Sequence, residues 1–317
     1  MLGGSFLSGS SPAGGGAAAF PVFTKALHVP SAVARTFGLL IQSVGMTMAV
    51  ASILAFRRSI IARAALLGSL AAVAGFVLTV LVFGKPDDLF WPLSIGTPWV
   101  KATFSIVLAT TSIMMILHSR RADHHHVGSP HWTRRHDIGV IVAAAAGGVL
   151  SAMAGTGANI LVFLFLVVLV DVNPKVALPT AIIVMTAVSI VGLIMFGIYD
   201  GQLNIGLAED RVVSVNGQPA DLGASEADLL GLWLAAIPVA AWGAPLGSLA
   251  ASLVKARALV VFVAILAGTE VITTIILVPE LRTEPALALY LAVGLIAVPA
   301  TCVMLRRHRK ALFSPGL

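Results

Sequence analysis

Seven apolar runs, each about 17 to 25 residues long, constrain the fold of this chain more than any other feature. A helix rises about 1.5 Å per residue, so each run is long enough to cross a hydrocarbon core of about 30 Å. Lipid cannot bond backbone amides, and such runs must therefore be helical. With 58% hydrophobic and 11% charged residues, the sequence predicts an all-α integral membrane protein. The predicted spans are 33–56, 61–84, 99–118, 180–199, 230–254, 259–279 and 286–305.

Composition and charge exclude several functions. Cys302 is the single cysteine, so an intrachain disulfide, a cysteine-based zinc site and an iron–sulfur cluster are excluded. No G-x-x-x-x-G-K-[ST] motif occurs, so this chain does not itself hydrolyse ATP. The net charge of +6 comes from basic residues at the ends of apolar runs, where they set membrane orientation instead of binding nucleic acid. We expect no cofactor and no metal, because the histidine run 124–126 lies in a basic loop and is better explained as solvated.

Two further apolar stretches, 1–28 and 138–171, are interrupted by glycine-rich breaks. The breaks are Gly14-Gly15-Gly16 in the first stretch and Gly155-Thr156-Gly157-Ala158-Asn159 in the second. A break at membrane depth exposes backbone groups that lipid cannot satisfy, so it must be buried in protein or line a wet cavity. Both stretches are therefore predicted to be re-entrant hairpins, in which two helical arms enter and leave on the same side.

The charges around the runs favour this interpretation. Cytoplasmic loops of membrane proteins are rich in Lys and Arg, which places the loops 57–63, 120–135 and 255–257 and the tail 306–310 in the cytoplasm. The acidic loop 200–228 is then external. These assignments agree with one another if 138–171 enters the membrane from the cytoplasm and returns to the cytoplasm. If 138–171 were a simple crossing, the acidic loop would lie inside and the loop 255–257 outside.

A short segment occurs twice, as Pro30 to Thr36 and as Pro174 to Thr180, each time between a glycine-rich break and a long apolar run. Each copy would contribute a hairpin and three crossings, and because three is odd, the second copy is inverted relative to the first. The prediction is an inverted repeat with one extra C-terminal helix: about seven full spans plus two hairpins. In the alternative, 1–28 is one span, the N-terminus is cytoplasmic and there are eight or nine spans.

The predicted divisions are a first repeat 1–118, a cytoplasmic basic, histidine-rich linker 119–137, a second repeat 138–279 with the external loop 200–228, and a C-terminal helix with a basic tail 280–317.

These motifs resemble the TauE/SafE family of sulfite exporters. The first copy reads Pro12-Ala13-Gly14-Gly15-Gly16 with Phe20-Pro21-Val22-Phe23 downstream, and the second reads Gly155-Thr156-Gly157-Ala158-Asn159 followed by Asn173-Pro174-Lys175 and Thr180. The resemblance covers nearly the whole chain and implies export of sulfite or a small organosulfonate. The chain departs from the family's G-x-G-G-G break and G-T-S segment, so the implied cargo carries over as a class, that of small anions.

The breaks also supply the candidate binding residues. Helix N-termini at a break offer unpaired N–H groups and a partial positive charge, which suit an oxyanion without a metal; close helix packing is the alternative role for the glycines. A threonine at the start of the following helix can cap that helix or bind the anion. An arginine there can hold a sulfonate through two parallel hydrogen bonds, or extend to the interface. The candidates are Gly14, Gly15, Gly16, Arg35, Thr36, Gly157, Asn159 and Thr180.

Glu270 is the candidate for proton coupling. It lies in the middle of an apolar run, where an ionised carboxylate is costly unless it is paired or protonated. A carboxyl group that changes protonation at membrane depth is a common part of proton relays. The alternative is a structural pair with Arg35 or Lys101, or a hydrogen bond to a neighbouring helix.

The function that fits these features is secondary transport of small anions across the plasma membrane, which in a bacterium is the inner membrane. A passive anion channel built on the same hairpins is the alternative. An intramembrane enzyme fits poorly, because Ser10 and Ser11 lack a convincing catalytic base and the only histidine near a span interior is His28. The chain is therefore expected to be a multi-pass, non-enzymatic protein whose partners are the anion and membrane lipid, with a homo-oligomer left open.

Overall fold

The computed structural model is helical throughout its long elements. It describes residues 2–11, 15, 20, 22–26, 31–83, 97–119, 132–199, 214–215, 218–219, 229–254 and 256–313. The helices are α1 Leu2–Ser10, α2 Ser31–Ala55, α3 Ala62–Phe83, α4 Thr97–Ser119, α5 Arg134–Ala154, α6 Ala158–Leu164, α7 Pro174–Gly192, α8 Leu229–Leu253, α9 Ala256–Leu277, α10 Glu280–Thr283 and α11 Pro285–Phe313. Short π-helical segments occupy Val22–Ala26, Phe165–Leu169 and Leu193–Tyr199, and the strands Ser214–Val215 and Gln218–Pro219 pair antiparallel.

Within the described residues, seven helices are long and apolar enough to cross a membrane, as expected of an all-α membrane protein. They lie in α2, α3, α4, α5, α7, α8 and α11. The helix α9 covers most of the remaining predicted span, 259–279. The first arm of the second hairpin, α5, is longer than expected: its 21 residues give a length of about 32 Å.

The helix α7 begins earlier than the predicted span at 180. Asn173 precedes it, and the side chain of Asn173 accepts a hydrogen bond from the Lys175 backbone N–H at 2.9 Å. Pro174 occupies the first turn, where its missing N–H costs nothing. Pro179 lies inside the helix.

The chain reverses direction between α5 and α6. Gly147 of α5 lies against Ala158 at the start of α6, and Gly139 near the start of α5 lies against Phe165, just beyond the end of α6. The two arms are therefore antiparallel, and both ends of the hairpin lie at the same end of the helix bundle. This reversal agrees with the hairpin predicted for 138–171. That both of its ends lie on the cytoplasmic side stays a prediction, because α5 alone is long enough to cross a membrane.

The described residues of 1–28 favour a hairpin over the alternative of one span. The helix α1 ends at Ser10, and Ser11 is not helical. Further along, Phe20 contacts Phe104 of α4, and Phe23 contacts Phe37 of α2. Residues 22–24 thus lie near the starts of α2 and α4, while Gly9 lies near the C-terminal end of α8 against Ser248.

Helix packing in the first predicted repeat matches that in the second. The first hairpin arm α1 runs parallel to α8, just as the second hairpin arm α5 runs parallel to α3. Glycines allow the close approach in both pairs, because a Cβ atom at the contact would meet the backbone or Cβ of the other helix. The close pairs are Gly9 with Ser248, Gly243 with Ser5, Gly148 with Phe76 and Gly75 with Ala145. The boundaries of the repeats stay a prediction.

The antiparallel helices α2 and α7 form the centre of the bundle. Leu39 near the start of α2 lies against Gly192 at the end of α7, and Met46 and Met185 are buried in the same apolar core. The added helix α11 packs outside, parallel to α4, with the rings of Trp99 and Tyr290 5.3 Å apart. Buried polar side chains lie at both ends of the α2–α7 pair, among them Arg35 at one end and Thr180 at the other.

Candidate functional site

The structure brings polar residues from the first half of α2 together with residues at the reversal of the second hairpin. We call this group the turn cluster and define it as Arg35, Gln42, Gly155, Thr156 and Asn159. All of its side chains are buried. Of the glycines predicted in the first hairpin, Gly15 is helical and buried, while Gly14 and Gly16 lie outside the described residues.

Gly155 makes the reversal possible. Its φ of 73° is in the left-handed region, and its N–H donates to the Ser151 carbonyl at 2.8 Å, which ends α5. A Cβ at this position would lie 2.6 Å from the Arg35 carbonyl oxygen. The hairpin therefore turns directly against the backbone of α2, and the turn cluster is held there.

Arg35 carries the charge of the cluster. Its side chain is 1% exposed, although arginine is seldom fully buried. Its Nη1 donates to the Ala152 carbonyl at 3.3 Å, and its Cζ lies 4.3 Å from the centre of the Phe196 ring. The ring face and the carbonyl hold the guanidinium plane in place, with its charge inside the bundle.

Two buried amide side chains complete the turn cluster. Gln42 donates from Nε2 to the carbonyls of Gly38 at 3.0 Å and Gly155 at 2.9 Å. Its Oε1, and Nδ2 of Asn159, have no hydrogen-bond partner among the residues that the structure describes. A buried polar atom without a partner costs about 1–3 kcal/mol, so a ligand that bonded these atoms would relieve that cost.

The start of α6 offers fewer amides than predicted. The N–H of Ala158 donates to Ser151 Oγ at 3.0 Å, and the N–H of Leu161 donates to the Gly157 carbonyl at 3.0 Å. Thr156 Oγ1 donates to Asn159 Oδ1 at 3.4 Å. Side-chain groups, more than the backbone at Gly157, therefore give the site its donors.

The two repeated threonines occupy opposite ends of the α2–α7 pair. Thr36 is fully buried, next to Arg35. Thr180 Oγ1 donates to the Val176 carbonyl at 2.8 Å and accepts from the Ile61 N–H at 3.1 Å, just before α3 begins. Thr180 thus caps α3, and the structure does not bring it to the turn cluster.

Glu270 is buried between α9 and α4. Its Oε1 accepts hydrogen bonds from Ser105 at 3.2 Å and Thr274 at 3.4 Å. Lys101 lies one turn before Ser105 and donates to the Thr24 carbonyl at 3.2 Å. Its charge interacts with Glu280 and, more weakly, with Glu270. Of the partners considered from the sequence, the structure places Lys101 near Glu270.

One helix lies between Glu270 and the turn cluster. Phe104 of α4 packs with Ala34, Ala154 and Ile160, which adjoin the cluster, and Ser105 is the next residue along α4. Ser105, which bonds Glu270, and Phe104, which packs beside the cluster, are thus neighbours on α4. Within the described residues, no group of three or more His, Cys, Asp or Glu residues could hold a metal ion; the histidines at 124–126 lie outside them.

Gln42 is a cluster member that the sequence indicates only as a residue that could line a path, and not as a binding residue. It lies seven residues after Arg35, two helical turns along the same face of α2. That spacing was visible in the sequence, but a single glutamine in an apolar helix more often bonds a neighbouring helix. The position of Gly155 against α2 gives Gln42 its place in the site.

A family model described as Sulfite exporter TauE/SafE matches residues 1–273. The match includes both glycine-rich breaks, the turn cluster and Glu270, and it ends before α11, the helix added after the second repeat. No curated protein and no solved structure matches the chain.

Proposed function

Because the chain belongs to the TauE/SafE family of sulfite exporters, we propose that it is a secondary transporter that carries sulfite or a small organosulfonate out of the cell across the plasma membrane. Membership of this family and the long apolar helices make it a multi-pass membrane protein of a transporter family. The identity of the anion and the site that binds it are what we propose in addition to this family membership.

A single observation carries the proposal: a buried guanidinium lies beside buried amide atoms at the turn of a hairpin. Burying the charge of Arg35 is costly unless groups around it compensate for the lost water. A sulfite oxyanion carries a complementary charge, and a guanidinium can hold two of its oxygens through parallel hydrogen bonds. The buried turn cluster supplies this chemistry without a metal.

The amides suit the rest of a small oxyanion. Nδ2 of Asn159 is a donor for a third oxygen. Gln42 presents Oε1 to a protonated oxygen, as in hydrogen sulfite, because its Nε2 is held by the Gly38 and Gly155 carbonyls. The neighbouring rings of Phe20, Phe37 and Phe104 are buried and exclude water from this end, which strengthens each of these interactions.

Flux into proteoliposomes tests the function. Purified protein in liposomes with a sulfite gradient and no ATP should give sulfite flux that saturates with concentration, as a carrier with a discrete site requires. Flux that rises linearly with concentration would support the channel alternative. Flux no greater than that of protein-free liposomes would contradict sulfite transport.

We further propose that Glu270 couples transport to protons. Ser105 and Thr274 surround its carboxyl group with hydroxyl donors, and α4 links it to the turn cluster. Glu270→Gln should abolish sulfite accumulation driven by a pH gradient while leaving sulfite–sulfite exchange within about threefold of wild type, because the amide keeps the shape but not the titration. The exposed residue Glu284 gives the control Glu284→Gln. Unchanged pH-driven accumulation in Glu270→Gln would rule out this role.

A further inference from the structure

A second polar feature lies at the other end of the α2–α7 pair. There the ends of α2 and α8, the start of α7 and Gly9 of α1 enclose a cavity of about 40 Å³. That volume holds about three water molecules, or one small oxyanion. We call it the basic cavity, since Arg58 and Lys175 are among the residues lining it and none of these lining residues is acidic.

Arg58 and Lys175 come from different repeats and converge on α8. Arg58 Nη1 donates to the Ser248 carbonyl, and Lys175 Nζ donates to the Ser252 carbonyl at 3.2 Å. These carbonyls lie in the last turns of α8, where the helix dipole favours cations. Each of these bonds uses one donor of the five on a guanidinium or of the three on an ammonium, so both groups have further N–H donors to offer to an anion.

The floor of the basic cavity is buried and its rim is accessible. Ile53, Leu178 and Ile182 form an apolar floor, while Lys175 is exposed and Arg58 is partly exposed. Burial lowers the pKa of Arg58 from its usual value, because desolvation penalises the charged form. An anion in the cavity would favour the charged form again. Small apolar walls with two cations at the opening suit a compact anion better than a large one.

The basic cavity and the turn cluster lie along the same two helices. Ile53 is 11 residues after Gln42 on α2, a distance of about 16 Å along the axis. Met46 and Met185 are buried between them. The loop after α2 and the first turn of α3 also carry Arg57, Arg58 and Arg63, which predict that the cavity faces the cytoplasm.

We propose that the basic cavity is the cytoplasmic binding site of the transport path, where Arg58 and Lys175 hold a small oxyanion such as sulfite before it moves along α2 and α7 to the turn cluster. This inference rests on the proposed function. It assigns a second site for the same anion, reached from the opposite side of the buried methionines.

Equilibrium binding of radiolabelled sulfite in detergent tests the inference. Arg35→Gln disables the turn cluster, so sulfite that still binds to this variant reports on the basic cavity. Adding Arg58→Gln and Lys175→Gln should weaken that remaining binding at least tenfold. The matched control adds Arg57→Gln and Arg307→Gln instead, which removes two exposed cytoplasmic charges and should leave the remaining binding unchanged.

The outcomes separate the two proposals. If wild type binds sulfite and Arg35→Gln binds none, the basic cavity is not a site, although the proposed function stands. If wild type binds none, the proposed function fails as well. A melting temperature close to that of Arg35→Gln, and recovery of binding with Arg58→Lys and Lys175→Arg, would show that the glutamine variants act through charge and not through a misfolded α8.

An anionic lipid headgroup has the same oxyanion chemistry as sulfite, so lipid is measured in parallel. Phosphatidylglycerol that copurifies with wild type and with the Arg58→Gln and Lys175→Gln variants is quantified as lipid phosphate. Equal lipid content with lost sulfite binding supports the inference. Lost lipid with unchanged sulfite binding would overturn it, because the cavity would then hold a headgroup.

Discussion

At Gly155 the backbone of α2 occupies the space that a side chain would need. The position combines a left-handed φ with a contact to the Arg35 carbonyl, and both conditions exclude a Cβ atom. The reversal of the hairpin, the position of Gln42 and the end of α5 all depend on this residue. Its requirement for glycine is therefore a requirement of the turn cluster as a whole.

Gly155→Ala should destabilise the protein by about 2 to 4 kcal/mol, through left-handed strain and overpacking against α2. We expect a lower melting temperature and loss of sulfite flux. Gly268→Ala is the control, since a Cβ there meets nothing within 4 Å and alanine favours a helix by up to about 1 kcal/mol. If both variants melted together with wild type, the described turn would be wrong.

The sequence predicted part of this site. A glycine-rich break and the start of the following helix are chemically distinctive, so the sequence indicates Gly157, Asn159 and Arg35, and the structure places them near one another. The same pattern indicates Thr180, but Thr180 lies at the other end of α7 and caps α3. A repeat in sequence shows that two positions are equivalent, and in an inverted pair equivalent positions lie far apart.

Among the elements, α3 and α5 form the firmest link between the two predicted repeats. Their glycines let them run close together, and a bidentate pair fastens one end: Arg63 Nε and Nη2 donate to Asp137 Oδ1 at 2.9 Å and Oδ2 at 2.7 Å. Trp132 Nε1 also donates to Asp137 Oδ1, at 2.6 Å. The hairpin that carries the turn cluster is thus anchored to the first repeat at its base.

A double-mutant cycle measures this anchor. Arg63→Gln and Asp137→Asn should each lower the free energy of unfolding, and the double variant should cost less than the two single effects added together. Because Arg63 is 64% exposed, we expect a coupling energy of about 1 kcal/mol, less than for a buried pair. Additive effects in chemical denaturation would show that the pair does not stabilise the hairpin.

The sequence located most elements, but not all of their ends. The apolar runs predicted the spans, because the length and hydrophobicity of a run can be read from its own residues. The early start of α7 depends on the Asn173 side chain accepting the Lys175 N–H. The length of α5 depends on its packing along α3. The pattern of a single apolar run does not show such contacts.

At the scale of the whole molecule, the charges and the hairpin reversal describe one topology. If the second hairpin returns to the side from which it entered, the start of α5 and the start of α7 share a side, and α10 lies opposite. The same arrangement makes the two repeats inverted, so that the turn cluster and the basic cavity lie near opposite surfaces of the bundle. Inverted repeats of this kind underlie alternating access.

Cysteine labelling tests this topology. With Cys302→Ser as background, Arg134→Cys and Lys175→Cys should both react with a membrane-impermeant maleimide from the cytoplasm, and Thr283→Cys should react from outside. All three residues are exposed. Reaction of Arg134→Cys and Lys175→Cys from opposite sides would mean that α5 and α6 together cross the membrane.

The most direct test of the central claim is sulfite flux in proteoliposomes that contain Arg35→Gln. We predict at least a tenfold loss of flux at a sulfite concentration that half-saturates wild type, because the variant lacks the guanidinium that we propose binds the oxyanion. A tenfold loss corresponds to about 1.4 kcal/mol. Arg35→Lys should recover only part of it, since lysine keeps the charge but not the planar fork. Arg57→Gln should behave as wild type. Saturable flux in Arg35→Gln equal to wild type would contradict the account.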